Sequence, residues 1–230
     1  MSNRALSAVL QRVPSEPLSR PSAAERVGTA LREQIIDGHL RPGTKLTEEI
    51  ISAGLGFSRN TIREAYVLLA SERLVVRVAN RGVFVATPSV DDVRDIYATL
   101  RLIEPAALQH GTALTAKRLG RLREIVSSGV AARSEGDRIA VARANQLFHR
   151  EVAAASGSHR AAALMEDVLA EMRLVFHAME ADRTFHDAFV DGNDDIVSLL
   201  EAGDRVGAAA RMRDYLDSAE AQLLRVALER

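Results

Sequence analysis

Between Ala23 and Ile36 the apolar residues Val27, Ala30, Leu31, Ile35 and Ile36 return at helical spacing, and Ser22 stands where an N-cap belongs. The pattern predicts a first helix closed by Asp37-Gly38 and a turn at Arg41-Pro42-Gly43. Lys45–Leu46 predicts a short strand, Thr47 the cap of a second helix to about Ala53, and Gly54 and Gly56 a tight bend. Ser58 predicts the cap of a third helix with Ile62, Ala65, Leu68 and Leu69 turned inward. The period then changes to alternation: Leu74–Val78 and Val83–Val85 flank Ala79-Asn80-Arg81-Gly82 and predict a hairpin. After Pro88 the strands stop. Ser89 caps a long helix with Val93, Ile96, Leu100, Ile103 and Ala107 on one face and Pro105 inside it, where a kink is expected. Further helices are predicted over residues 115–134, 137–156, 159–181, 187–202 and 204–228.

Three segments follow. Residues 1–22, with Pro14, Pro17 and Pro21, predict a mobile tail holding a short helical piece near Ala5–Gln11. Residues 23–88 predict an N-terminal winged helix-turn-helix whose wing is the small β-hairpin. Residues 89–230 predict a C-terminal antiparallel all-α helical bundle, so the expected fold class is mainly α.

Composition narrows the chemistry. The 230 residues contain no Cys, which excludes a disulfide scaffold, a thiolate zinc site and a Cys nucleophile. Aromatics are only 4%, so stacking on bases is not the expected mode of binding. No apolar run reaches membrane-spanning length and no signal core opens the chain, so a cytoplasmic protein without a membrane partner is expected. The net charge of −1 hides an asymmetry: residues 1–88 carry +4 and residues 89–230 carry −5. A basic front and an acidic back suggest that only the front meets a polyanion.

The front segment has the means to do so. A recognition helix presents its N-terminal residues to base edges and phosphates. In Ser58-Arg59-Asn60-Thr61-Ile62-Arg63 the polar residues fall in the first turns while Ile62 turns back to the core. Arg59 and Arg63 can fork onto guanine or phosphate, Asn60 and Thr61 can reach base edges or support the helix start, and Ser58 can cap and touch phosphate. Arg81-Gly82 at the hairpin tip can reach a minor groove or flanking phosphate.

These residues carry a resemblance. Leu31-Arg32-x-x-Ile35-Ile36-x-Gly38-x-Leu40-x-Pro42-Gly43-x-x-Leu46, Leu55–Ala65 and Arg81-Gly82-x-x-Val85 resemble, in order, the first helix and turn, the recognition helix and the wing of GntR-type transcription regulators. The resemblance implies a homodimer on a short palindromic double-stranded DNA operator. Several relatives carry a basic residue in the second helix where this chain has Glu49, an acid that repels phosphate.

The back segment is similar to the ligand-binding domain of the FadR subfamily, the helical bundle called FCD. The likeness rests on Asp95-x-Tyr97-x-x-x-Arg101-x-x-Glu104-Pro105-Ala106-Ala107, Phe148-His149 and Leu200–Asp204. It implies a central cavity for a small effector, and in many members a divalent metal held by an Asp, a His four residues on, and two later His. Here the corresponding positions are Asn145, His149, Asn193 and Tyr215. One imidazole and two amides are poor ligands for a dehydrated zinc ion, so no metal and no cofactor is expected. A site rebuilt from His149 and His177 is the alternative, although His177 also fits a core or interface role. Asn145, His149, Asn193 and Tyr215 either satisfy one another or bind an effector. Arg101 resembles a cavity-facing position able to receive a carboxylate; otherwise it pairs with Glu104 at the surface.

The expected function is a DNA-binding transcriptional repressor modulated by a small carboxylate or acyl metabolite in the bundle. The alternative is a regulator whose bundle only dimerises. A helical enzyme is not expected, because neither a paired acid and base nor an intact metal set is present.

Overall fold

The computed structural model describes residues 21–178 and 185–228. The predicted helical piece at Ala5–Gln11 lies outside the described residues, as does the predicted stretch of helix beyond residue 178. The described residues form nine helices and three strands in the expected order.

The front body begins with α1 (Ala23–Ile36), whose start is fixed by a capping box: the Ser22 hydroxyl accepts from the Glu25 amide and the Glu25 carboxylate accepts from the Ser22 amide. β1 (Lys45–Leu46) and α2 (Glu48–Leu55) follow. Gly56 ends α2 in the left-handed conformation, φ 72°, and turns the chain into α3 (Arg59–Ser71). As expected, the Ser58 side chain caps α3; Thr47 occupies the cap position of α2 but its side chain makes no capping bond. β2 (Val75–Val78) and β3 (Gly82–Val85) form the predicted hairpin. β1 pairs antiparallel with β3, Lys45 opposite Phe84, so the sheet order is β1-β3-β2. Alternation along β3 buries Val83 and Val85 under the helices. Val27, Leu31 and Ile35 of α1 and Ile62, Ala65 and Leu69 of α3 complete this core. The Tyr66 hydroxyl, buried, donates to the Leu46 carbonyl at 3.1 Å and ties α3 to β1.

The second body is α4 (Val90–His110), α5 (Ala116–Glu135), α6 (Arg138–Ala155), α7 (His159–Ala178), α8 (Asp187–Glu201) and α9 (Arg205–Leu228). α4 runs along α9, α5 along α6, and α8 against both α5 and α9. Pro105 does not end α4, which continues to His110. The core runs from Val93, Ile96 and Leu100 through Phe148 and Val152 to Met212, Leu216 and Leu223. None of the described helices is long and apolar enough to cross a membrane.

The two bodies meet on α7. One face of this helix gives Met165, Leu169 and Met172 to the bundle core. Ala170 and Leu174, on another face, belong to the core of the front body. Arg173 Nε donates to the Ile36 carbonyl at 3.3 Å, and His177 Nε2 bonds the same carbonyl at 2.9 Å. Both side chains thus serve the negative end of α1. The chain leaves α1 through Gly38, φ +78°, where a Cβ would stand 2.7 Å from the His177 ring. Both the backbone and the contact therefore require glycine there.

Candidate functional site

Two polar sites stand out. The first is a groove of ≈ 640 Å³ between the start of α3 and the hairpin. Arg59, Arg63, Arg81 and Gly82, four of the residues singled out for DNA contact, line it. Lys45 and Arg77 line it too, and the sequence reading did not single them out. Phe84 organises the wing cations: the Arg81 guanidinium and the Lys45 ammonium lie 5.7 and 5.9 Å from its ring centre. Asn80 takes the left-handed conformation, φ 59°, at the tip that carries Arg81. Ser58 and Thr61 hydrogen-bond to each other at the helix start, hydroxyl to hydroxyl at 2.9 Å. Asn60 is exposed in the first turn but does not line the groove.

Two acids of α2 hold the recognition arginines. Arg59 pairs with Glu49 at 2.7 Å and Arg63 with Glu48 at 2.9 Å. The bond from Arg63 holds the Glu48 carboxyl below its ordinary range. The Arg59–Glu49 pair is solvent-exposed, so it contributes little to folding. On DNA, however, Glu49 must either release Arg59 or stay beside a phosphate. Glu49→Gln is therefore expected to tighten DNA binding about fivefold, the ~1 kcal/mol that two unit charges ~4 Å apart exchange in water. Fluorescence anisotropy at low salt measures this, with an unchanged melting temperature as the control.

The second site lies inside the bundle. His149 of α6 is buried, and its Nδ1 lies 2.8 Å from Oε1 of Glu104, which is 0% exposed. His149 Nε2 lies 3.2 Å from the Tyr215 hydroxyl. That hydroxyl donates to Asn145 Oδ1 at 2.9 Å, and Asn193 Nδ2 donates to the same oxygen at 2.9 Å. With a hydrogen on both ring nitrogens, His149 donates to the Glu104 carboxylate and to the Tyr215 oxygen, and every bond in this chain then has one donor and one acceptor. α4, α6, α8 and α9 are thereby joined by one polar network. Burial pushes the Tyr215 hydroxyl well above its ordinary pKa, so it stays protonated as a donor. Asn145, His149, Asn193 and Tyr215 come together as the sequence suggested. Glu104 joins them and Arg101 does not. Arg101 pairs with Asp217 at 2.6 Å and with Glu220, and it lines no part of the cavity. The two alternatives weighed for Arg101 both give way, because Glu104 points inward and α9 supplies the acids instead.

Beside this network is a cavity of ≈ 30 Å³ walled by Leu169, Met172, Phe176, Phe185, His186 and Tyr215 among others. That is room for about two water molecules and not for a metabolite. Burial pushes the His186 imidazole down to about 3, so it is neutral, and its Nδ1 has no hydrogen-bond partner among the described residues. His177 stands at the junction with α1, on the interface role, and not beside His149.

Residues 23–85 match the profile of the bacterial regulatory proteins of the gntR family, and residues 95–218 match that of the FCD domain. The chain belongs to the GntR family. This GntR protein is similar to a putative transcriptional regulator GntR from Rhodococcus sp. RHA1 of known structure: 38% identity, TM-score 0.82, covering 89% of this chain and 98% of that one. It is 35% identical over 91 residues to the gluconate operon transcriptional repressor of Bacillus subtilis (strain 168), covering 40% of this chain and 37% of that protein. Over 91 residues it is 37% identical to the histidine utilization repressor of Klebsiella aerogenes, 37% of this chain and 38% of the other. The match spans 36–38% of the length of these repressors and of a further regulator from Paraburkholderia xenovorans (strain LB400). The E. coli McbR/YncC structure shares the fold at 20% identity, TM-score 0.73, with 90% of this chain and 99% of that one covered. The relatives are named as regulators of transcription and not as enzymes.

The GntR protein's bundle does not fit the metal that its FCD resemblance implies. One His nitrogen is committed to Glu104, and the Asn145 oxygen already accepts two hydrogen bonds. No group of three or more His, Cys, Asp or Glu able to hold an ion occurs among the described residues.

Proposed function

We propose that this GntR regulator acts as a homodimeric repressor. Its two recognition helices enter successive major grooves of a palindromic operator, and a small carboxylate or acyl metabolite received by the bundle weakens that grip. The observation that carries the DNA reading is the groove in which Arg59 and Arg63 of α3 face Lys45 and Arg77 of the sheet and Arg81 of the hairpin turn. Five cations converge there around a helix start whose hydroxyls are already ordered. Arg59, Arg63 and Arg81 read or grip the duplex; Ser58, Asn60, Thr61 and Gly82 position the backbone against it. The repressor reading is supported by the two relatives named as repressors. Work on an operator places the protein with the DNA, in the cytoplasm.

A ligand changes operator affinity only through unequal affinity for the arrangements of the heads. α7 supplies a physical route, since it lines the cavity on one face and completes the front body's core on another. For an effector to enter, Phe176, Phe185 and His186 must move, because the enclosed space is of water size. That same observation favours a second reading, in which the bundle only dimerises and its polar groups serve one another.

Selection of bound fragments from genomic DNA, followed by a mobility shift, tests the first claim. A preferred palindromic sequence is expected, and binding indifferent to sequence would overturn it. A thermal-shift screen of carboxylates and acyl thioesters tests the second. At a hundredfold excess over its dissociation constant, an effector raises stability by about 2.7 kcal/mol. No shift from any of them would leave the dimerisation reading standing.

A further inference from the structure

The small internal cavity shares its wall with a far larger space. A cleft of ≈ 980 Å³ opens between the front body and the bundle. Ala142, Gln146, Arg173, Phe176, Phe185 and His186 line both spaces. The volume lies within the range of about 300–1,000 Å³ usual for small-molecule sites.

The cleft is cationic on both sides. The front body contributes Arg41, with Asp37, and the bundle contributes Arg138, Arg143 and Arg173, with Asp137. Asp137 already accepts from the Ala140 amide at the start of α6. None of the ion pairs between described residues involves these four arginines. Arg143 lies close enough to Arg173 to act on its charge, and Arg173 and Arg41 both act on His177. Burial lowers the basicity of Arg173, Asp37 raises it and Arg143 lowers it again. Burial likewise lowers that of His177, and Arg173 and Arg41 lower it further. On the recognition face, by contrast, Arg59 and Arg63 are each held by a carboxylate. Here, guanidinium groups from two bodies face a shared space whose described lining holds two acids, Asp37 and Asp137.

We propose that this cleft binds a small organic polycarboxylate, held between Arg41 on the front body and Arg138, Arg143 and Arg173 on the bundle, and that its occupancy governs how the DNA-reading body is held. Guanidinium forks suit carboxylates because two parallel N–H groups meet two oxygens. Arg173 keeps its Nε on the Ile36 carbonyl, and among the described residues its terminal nitrogens make no further bond, so one side chain joins the end of α1 to the ligand. An anion that needs cations from both bodies binds their docked arrangement more tightly than any other. That difference is the whole of its influence. The site stands by itself; only its effect on DNA rests on the operator-binding reading above.

Isothermal titration of the full-length protein with tricarballylate tests this, and inorganic phosphate serves as the second arm. One saturable site per chain is expected for tricarballylate. Arg41→Gln and Arg143→Gln are each expected to weaken it about tenfold or more, the loss of one charge-assisted bond, without lowering the ligand-free melting temperature. Absence of saturable binding, or binding that both variants leave untouched, overturns the site. Phosphate binding as tightly as tricarballylate overturns the polycarboxylate assignment. In the same preparations the tricarballylate-bound and free proteins are compared on the selected operator, where a change of at least about fivefold is expected. Binding of the anion without such a change overturns the regulatory claim. Operator binding that is normal in protein unable to take tricarballylate sinks this inference alone. Tricarballylate binding in protein with no preferred operator sinks the DNA reading alone.

Discussion

Replacing Arg59 with alanine is expected to weaken operator binding about tenfold or more and to reduce the slope of log affinity against log salt by about one unit. Arg59 is the first residue of α3, half-exposed, and its guanidinium reaches the groove shared with the wing. A bidentate contact to guanine contributes about 1–3 kcal/mol of discrimination, while a phosphate contact contributes one released counterion. Arg59→Lys separates the two. It keeps the charge and the salt slope but loses the fork, so sequence preference falls while non-specific affinity stays. Stability is not at stake, because the partner lost among the described residues is the exposed Glu49. Anisotropy titrations at several salt concentrations give both numbers. An alanine variant with wild-type affinity and slope would remove Arg59 from the interface.

The second large effect lies in the bundle. His149→Ala is expected to cost about 3–5 kcal/mol of stability, because it strands the wholly buried Glu104 carboxylate. Glu104 Oε2 already lacks a hydrogen-bond partner among the described residues, so Oε1 carries the compensation for burial. Removing both groups together, as Glu104→Leu with His149→Leu, is expected to recover much of that loss, since no charge is then left alone in the core. Urea unfolding of the parent, Glu104→Leu, His149→Leu and the double variant forms a cycle that isolates the pair. A His149→Ala variant within 1 kcal/mol of the parent would show that Glu104 finds other company. The same cycle reads the network's role: a pair that fastens four helices leaves a large coupling energy, whereas independent groups leave none.

Most elements were legible because local chemistry agreed with tertiary packing. Ser22, Ser58 and Ser89 announce helix starts, and all three side chains accept the expected amide. The change from helical to alternating period at Leu74 marks the hairpin, and the structure pairs Val75 with Val85 there. A surface pair of Glu104 with Arg101, one of the two alternatives, conflicts with the pattern itself. Glu104 follows Leu100 by four and precedes Ala107 and Leu108 by three and four, so it sits on the buried stripe of α4 and not beside exposed solvent. An acid on an apolar stripe signals a buried partner, and His149 lies 45 positions away, out of reach of any local rule. Lys45 reaches the groove through the pairing of β1 with β3, and Arg77 through its register opposite Val83 on β3, placements that no local spacing announces. The bonds of Arg173 and His177 to Ile36 cross 137 and 141 residues, and no spacing rule anticipates them.

The shared helix α7 limits modular engineering. A chimera that grafts residues 23–88 onto a foreign effector body would bare the apolar seat now filled by Ala170 and Leu174, and would leave the Ile36 carbonyl without its two donors. A working biosensor would have to transplant that stripe of α7 with the head, and keep glycine at residue 38 to let the two fit.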